Sequence, residues 1–465
     1  MNHTKPARRD AFIVFCAALV VRLIYLALVV HDPQNFMMPD SILFTHLADG
    51  IIQSGGYNRL VDGGELIVET ERVPIYPLYL SVFYVLAGHD PLWPILGQIA
   101  IDALTCVFVG LLAHQLDRRL LLLAGLLAAV NLNMVVHSSL ILTDSLFLFF
   151  LATHLYFTVR YFLAPAARSA VLSGVFYSLA LLTRPMMFYF FALLLLAIAL
   201  TAWRRENSIR QALRHAGLTF LAATFLTVPM LARNFHEFGH IGLVSQQGTH
   251  ALNWVVPLAR EFTLGAAFTK SQEEMGIRLH QQLAKRGMDS LPANPFESSE
   301  LHLQVAREAL LELGTWRLFQ AWATGAAINL FSPSITSTPL INRMERPRFY
   351  QTSGSTITDK AWNFLTGADN LVFLSLMIPA LLTVLIFRSV QLVGFVSVVR
   401  QWQLPAAPFL YMLLMSLYVL AVTGPVVGVK YRLPLEPFLV LLTAIGMARL
   451  CPRLRLTSAQ RPRKG

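Results

Sequence analysis

Apolar runs close to the length of a membrane-spanning helix, separated by short clusters of charge, recur along the whole chain. A helix crosses bilayer hydrocarbon with about twenty predominantly apolar residues, so ten such runs are predicted as spans. They are Phe12–Val30, Trp93–Leu116, Leu120–Val136, Leu142–Phe162, Ala170–Leu182, Met186–Trp203, Ala216–Leu231, Leu371–Phe387, Pro405–Thr423 and Pro434–Leu450. Two more apolar stretches break the alternation of basic loops. Ile75–Ala87 is short for a span, and counting Trp316–Phe331 as one would move later basic loops to the wrong side, so both are read as interfacial or re-entrant helices. The expected fold is all-α: a single membrane domain over residues 1–465, with about ten transmembrane helices and interfacial helices in its external loops.

Composition agrees with this reading, because 55% hydrophobic residues against 14% charged, and a mean hydropathy of +0.56, exceed what a soluble core uses. A net charge of +11 would suggest nucleic acid in a soluble protein. Here most of it lies in short loops and tails, where it reports orientation. Lys5, Arg8 and Arg9, then Asp117-Arg118-Arg119, Arg160 with Arg168, Arg204-Arg205, Arg388, and the tail from Arg453 to Lys464 mark one side, expected to be cytoplasmic. The opposite, external side then holds a first loop (31–91), turns near His137 and Arg184, a large loop (232–370) and the turn around Lys430. Arg22, inside the first span, reads as a lipid-phosphate contact or as a snorkelling or internally paired arginine. Cys16, Cys106 and Cys451 fall in or beside spans and suggest neither a disulfide framework nor a zinc motif. No Walker or dinucleotide-binding motif is present.

Candidate chemistry collects on the external side. Asp40 opens PDSILFTHLADGI, where Ile42, Leu43, Leu47 and Ile51 recur at helical spacing. Asp40 is either an N-cap or a general base at the membrane surface. In TERVPIYPLYL, Glu71 and Arg72 precede Pro74, Pro77 and an aromatic helix containing Tyr76, Tyr79, Phe83 and Tyr84. Arg72 suits a lipid-linked phosphate, with Glu71 orienting it or binding metal; the plain alternative is a surface ion pair. Asp144 sits at the mouth of a span, where an unpaired carboxylate is costly. Arg184, Arg233, Lys430 and Arg432 share the external face; Arg184 also reads as a helix break before Pro185, and Lys430 and Arg432 as interfacial anchors. Glu71, His240 and His250 offer ligands to a divalent metal, against the ordinary reading of surface histidines. No cofactor is otherwise indicated. GLVSQQGTHALNW reads as strand and turn, Gln272–Leu283 and Ser299–Leu313 as surface helices, and Asn342–Lys360 as a polar flap.

Taken in order, the Asp after the first span, the acidic-basic-Pro element before a Tyr-Pro helix, the acid at Asp144, LLTRP (181–185), PMLARNFHEFG (229–239) and VKYRLPLEPFL (429–439) resemble the GT-C glycosyltransferases. The likeness is to the bacterial dolichyl-phosphate-mannose protein mannosyltransferase-like, aminoarabinose-transferase-like and RgtA/B/C/D-like group. It implies inverting transfer of a sugar from a polyprenyl-phosphate carrier to an envelope acceptor (lipid A, polysaccharide or protein), on the external face of a bacterial inner membrane. It implies Asp40 as base, Glu71 and Asp144 organising substrate or metal, and Arg72 and Arg184 at the donor's phosphate region; Arg233, Lys430 and Arg432, external in the expected topology, and Tyr76 are the further substrate-binding candidates, with the bilayer as partner and no nucleic acid. Many relatives carry Asp-Glu at the first acidic site, whereas this chain has Asp40-Ser41, which leaves one carboxylate and excludes a two-acid mechanism. A polysaccharide polymerase or ligase would share the basic residues without requiring the first-loop acid. A transporter would show internal repeats and mid-membrane charges.

Overall fold

Apolar residues with few helix breakers form helices in a bilayer because no water is present there to satisfy free backbone groups. The computed structural model of the chain describes residues 4–61, 63–344, 349, 352, 354, 356–367, 371–401 and 405–451. The basic tail from Arg453 and part of the expected 342–360 flap lie outside the described residues. In chain order the helices are α1 (Thr4–Val29), α2 (Pro39–Ser54), α3 (Ile75–Ala87), α4 (Leu92–Leu116), α5 (Leu120–Ala129), α6 (Leu132–Ser138), α7 (Asp144–Leu163), α8 (Ala167–Leu181), α9 (Phe191–Glu206), α10 (Ile209–Phe225) and α11 (Val228–Phe238). They continue as α12 (Gln247–His250), α13 (Val256–Leu264), α14 (Phe268–Lys285), α15 (Pro295–Phe331), α16 (Pro339–Asn342), α17 (Ile357–Thr366), α18 (Leu371–Gln401), α19 (Ala406–Thr423) and α20 (Glu436–Leu450).

Among the described residues, seven helices are long and apolar enough to cross a membrane, and nine if each of two bent pairs counts as one span. The bent pairs, α5 with α6 and α10 with α11, turn by 54° and 56°. The shorter apolar helix α8, packed between α7 and α10, occupies the place of the tenth expected span. There the backbones touch: a Cβ on Gly174 would lie 2.6 Å from the Thr219 carbonyl oxygen, so only glycine permits this approach. The main apolar core runs through α4, α5, α7, α8 and α20, and a second cluster joins α2 and α3 to the start of α4.

Three sequence expectations change. Arg388 does not mark a loop: it lies within α18, donating to the Leu330 carbonyl, because the helix continues past Phe387 to Gln401. The segment read as strand and turn is helical from Gln247 onward, running through α12 and a π-helical turn (Ala251–Val255) into α13. Leu252, Val256 and Ala259 recur at helical spacing and are buried, a period cut short when the segment is read only to Trp254. A hairpin, β1 (Asn58–Leu60) with β2 (Leu66–Val68), occupies the first loop. Its turn uses Gly63 and Gly64 at positive φ, a turn signal present in the sequence. The Trp316–Phe331 stretch is the second half of α15, beyond a break at Gly314, and its Trp322 indole donates to the Ala421 carbonyl.

Candidate active site

Asp40 lies in the first turn of α2, which starts at Pro39. The side chain of Asp40 is not a cap: the buried Ser41 hydroxyl accepts from the Met38 amide at 2.9 Å and donates to the Ile141 carbonyl at 2.8 Å. A backbone bond from Ile141 to Phe36 (2.9 Å) adds a second stitch. The segment entering α2 is thereby fastened to the one leading into α7, whose first residue is Asp144. Two acids far apart in sequence are thereby brought into the field of one cation, Lys430.

Each acid meets a cation. Lys430, on a 3-10 turn (Val429–Leu435) before α20, donates to Asp40 Oδ2 at 3.0 Å. Arg184, where α8 ends and Pro185 starts a 3-10 helix, donates to Asp144 Oδ1 at 2.6 Å and lies 5.8 Å from the centre of the Phe147 ring. Asp144 is buried, and its Oδ2 has no hydrogen-bond partner among the described residues. Asp40 stays nearly half exposed, at 45% of its side-chain surface. Burial pushes its carboxyl up, but the Lys430 ammonium, helped by Arg72 and Arg184, outweighs this and holds it below the usual aspartate value. A carboxylate that is ionised and reachable is thus set in the field of three cations.

The large loop contributes His250, half-buried in α12. Burial, with Arg72 and Lys430 nearby, pushes its imidazole below the usual value, so it is neutral at physiological pH. His240 lies elsewhere, stacked on Phe296 with ring centres 4.5 Å apart. Among the described residues no three His, Cys, Asp or Glu side chains gather as metal ligands, and Glu71, His240 and His250 are not brought together as a trio.

Other expected contacts serve the scaffold. Tyr76 is fully buried, its hydroxyl donating to Gln98 at 2.7 Å. Arg233 donates to the main-chain carbonyls of Tyr57 (3.1 Å) and Glu69 (2.5 Å), tying α11 to the first loop. Arg432 is buried, donating to Glu436, to the carbonyls of Asn329, Leu330 and Ser332, and to the Ser334 hydroxyl, which commits most of its guanidinium within the fold. Backbone approach consumes these donors, and spacing along a sequence does not report that.

Two residues escaped the sequence reading. Glu69, not the more exposed Glu71, is the buried acid of its segment: its Oε1 accepts the amides of Glu71 (2.5 Å) and Arg72 (2.9 Å), fixing the backbone that presents Arg72. Arg59 on β1 lies 3.5 Å from Glu69 and 3.7 Å from Glu71. Burial raises the Glu69 carboxyl despite Arg59 and the two amides. The large loop closes on the same segment, because Ser245 donates its amide to the Thr70 carbonyl at 2.7 Å. Asp102 is the second: a charge within a span, it pairs with Arg22, whose remaining donors reach the Ala18 and Ala129 carbonyls (3.1 and 3.0 Å) and the Cys106 sulfur (3.2 Å). Arg22 is therefore internally paired and touches no lipid. An ionisable residue inside an apolar run was the signal that would have found Asp102.

Comparison with known proteins places this geometry. Residues 71–231 match the sequence profile of the dolichyl-phosphate-mannose-protein mannosyltransferase family. No curated protein matches the sequence. Among solved structures, the chain is similar to the Archaeoglobus fulgidus oligosaccharyltransferase tethered with an acceptor peptide, at 12% identity and a TM-score of 0.52, covering 95% of this chain and 50% of that one. It thus spans about half the length of that enzyme. Also similar are the same organism's AglB in complex with an inhibitory peptide and a dolichol-phosphate (11% identity, TM-score 0.49, 95% and 50% covered) and apo ArnT from Cupriavidus metallidurans (15%, 0.33, 94% and 77%). Residues 71–231 thus carry a dolichyl-phosphate-mannose-protein mannosyltransferase family domain, and nearly the whole chain shares the membrane fold of the oligosaccharyltransferase.

Proposed function

We propose that the protein transfers a sugar from a polyprenyl-phosphate-linked donor to an acceptor of the bacterial cell envelope, on the external face of the inner membrane, by a single inverting displacement. The observation that carries this reading is the juxtaposition of Asp40 with Lys430, beside the Arg184–Asp144 pair and within the field of Arg72. A phosphate leaving group already bears charge, so cations that stabilise it replace an acid catalyst. Lys430, Arg72 and Arg184 supply them. Asp40, ionised and exposed, accepts the proton of the acceptor's hydroxyl or amine as the new glycosidic bond forms and the bond to the carrier phosphate breaks. When the donor phosphate engages Lys430, the carboxylate of Asp40 is released towards the acceptor. Ser41 holds α2 in register, and Asp144 orients Arg184. Glu71 and His250 are the residues that would hold a divalent metal, which would supply positive charge to the donor phosphate; no step above depends on it.

The test is Asp40→Asn in purified protein supplied with a polyprenyl-phosphate sugar. The variant is expected to bind donor as the wild type does while losing transfer by about a hundredfold to ten-thousandfold, the usual contribution of a general base. Unchanged turnover would remove Asp40 from the chemistry.

A further inference from the structure

A second feature lies at the other end of the molecule. α18 and α20 run parallel: Gln391 donates to Thr443 at 3.0 Å, and farther on the backbones meet so closely that a Cβ on Gly394 or Gly446 would lie 2.1 Å from the carbonyl oxygen of Leu442 or Val390. α20 leads away from Lys430, so the shared C-terminal ends of the two helices lie at the end opposite the Asp40 site. Beside this crossing is a cavity of 410 Å³ walled by Leu392, Val393, Val396 and Ser397, with Arg400 and Arg449 on its rim. Both arginines fall in the last turn of their helices, and both are exposed. Neither has an ion pair or side-chain hydrogen bond among the described residues. Arg388, on the same helix, is by contrast engaged by the Leu330 carbonyl and Gln391.

We propose that this groove binds an anionic glycerophospholipid, its phosphate between Arg400 and Arg449 and an acyl chain along Leu392, Val393 and Val396. Cations at helix C-termini complement the carbonyl ends of the helix dipoles, and that role alone needs no groove. Here two cations converge on one apolar cleft at the end of two membrane helices, where a lipid satisfies both its charge and its hydrocarbon. A free phosphate would use only the arginines. A zwitterionic lipid brings the same phosphate but with a headgroup cation that the two arginines repel. The Ser397 hydroxyl, on the cavity wall, supplies a donor for the ester or phosphate oxygens. The inference rests on the membrane-spanning arrangement and is independent of the transfer reaction.

The experiment is native mass spectrometry of the full chain released from micelles containing equimolar phosphatidylglycerol and phosphatidylcholine. Wild-type protein is expected to retain phosphatidylglycerol about tenfold over phosphatidylcholine, as two basic residues at a membrane surface would give. Arg400→Gln with Arg449→Gln should bring retention near parity, and Arg400→Lys with Arg449→Lys should keep most of the preference. Val396→Trp, which fills the cleft, should lower phosphatidylglycerol retention with both arginines intact. Equal retention of the two lipids by the wild type overturns the proposal, as does a preference that survives the glutamine pair, vanishes in the lysine pair, or ignores the tryptophan.

Discussion

Asp40 and Lys430 show how charge placement sets a working pH. Burial alone would raise the Asp40 carboxyl, but Lys430, then Arg72 and Arg184, hold it below the ordinary aspartate value of about 3.9. The acid limb of transfer should therefore fall below that value and rise in Lys430→Met, which removes the strongest of these cations. A pH profile of kcat/KM for both proteins checks this; a limb that does not move would mean that another group sets it. The same sign applies to stability. A carboxyl with a depressed folded pKa adds stability above its unfolded pKa and loses it as pH falls through the folded one. Asp40, Arg72, Asp144, Arg184 and Lys430 were all nameable from sequence because each is a charge beside a predicted span or a first-loop helix. Glu69 was not, because its role depends on two backbone amides turning towards it.

At the scale of elements, a serine does the positioning. Ser41 stands next to the candidate base, where a second acid was the alternative, and is buried against Ile141, locking α2 to the entry of α7. Ser41→Ala should lower stability by about 0.5–1.5 kcal/mol, as for one hydrogen bond, and reduce transfer up to about a hundredfold, because a misplacement near 1 Å costs that much. Thermal unfolding read alongside turnover separates the two. A loss of stability with no loss of turnover would show that the stitch does not position Asp40. The hairpin β1–β2 and the turn of α12–α13 were written in the Gly-Gly turn and in the spacing of Leu252, Val256 and Ala259. They were missed because a short window hides a helical period.

At the scale of the whole molecule, the buried Arg22–Asp102 pair joins α1 to α4 and, through the Ala129 carbonyl, to the end of α5. Removing one partner leaves the other charge uncompensated inside the protein, so Arg22→Ala or Asp102→Ala should each destabilise it by about 3–5 kcal/mol. Arg22→Met with Asp102→Leu should recover most of that, since apolar replacement of a whole buried pair is often neutral. Unfolding midpoints in detergent measure both, and a double variant no better than the singles would show that packing, not charge, carries the effect.

The apolar runs by themselves determined an all-helical membrane chain and nearly every span, because hydrocarbon leaves the backbone no alternative to internal hydrogen bonds. The order of charged boundary residues determined where to look for chemistry. Only the tertiary structure decided which of those residues are available. Arg432 and Arg233 resemble Arg184 and Arg72 in a sequence, yet the first two have guanidinium donors committed to main-chain carbonyls within the fold. Asp40 and Lys430, 390 residues apart, meet because the turn before α20 packs on α6 and α7, to whose entry Ser41 ties the start of α2. Desolvation and hydrogen-bond satisfaction are properties of neighbours in space, and neighbours in space are what a one-dimensional pattern omits.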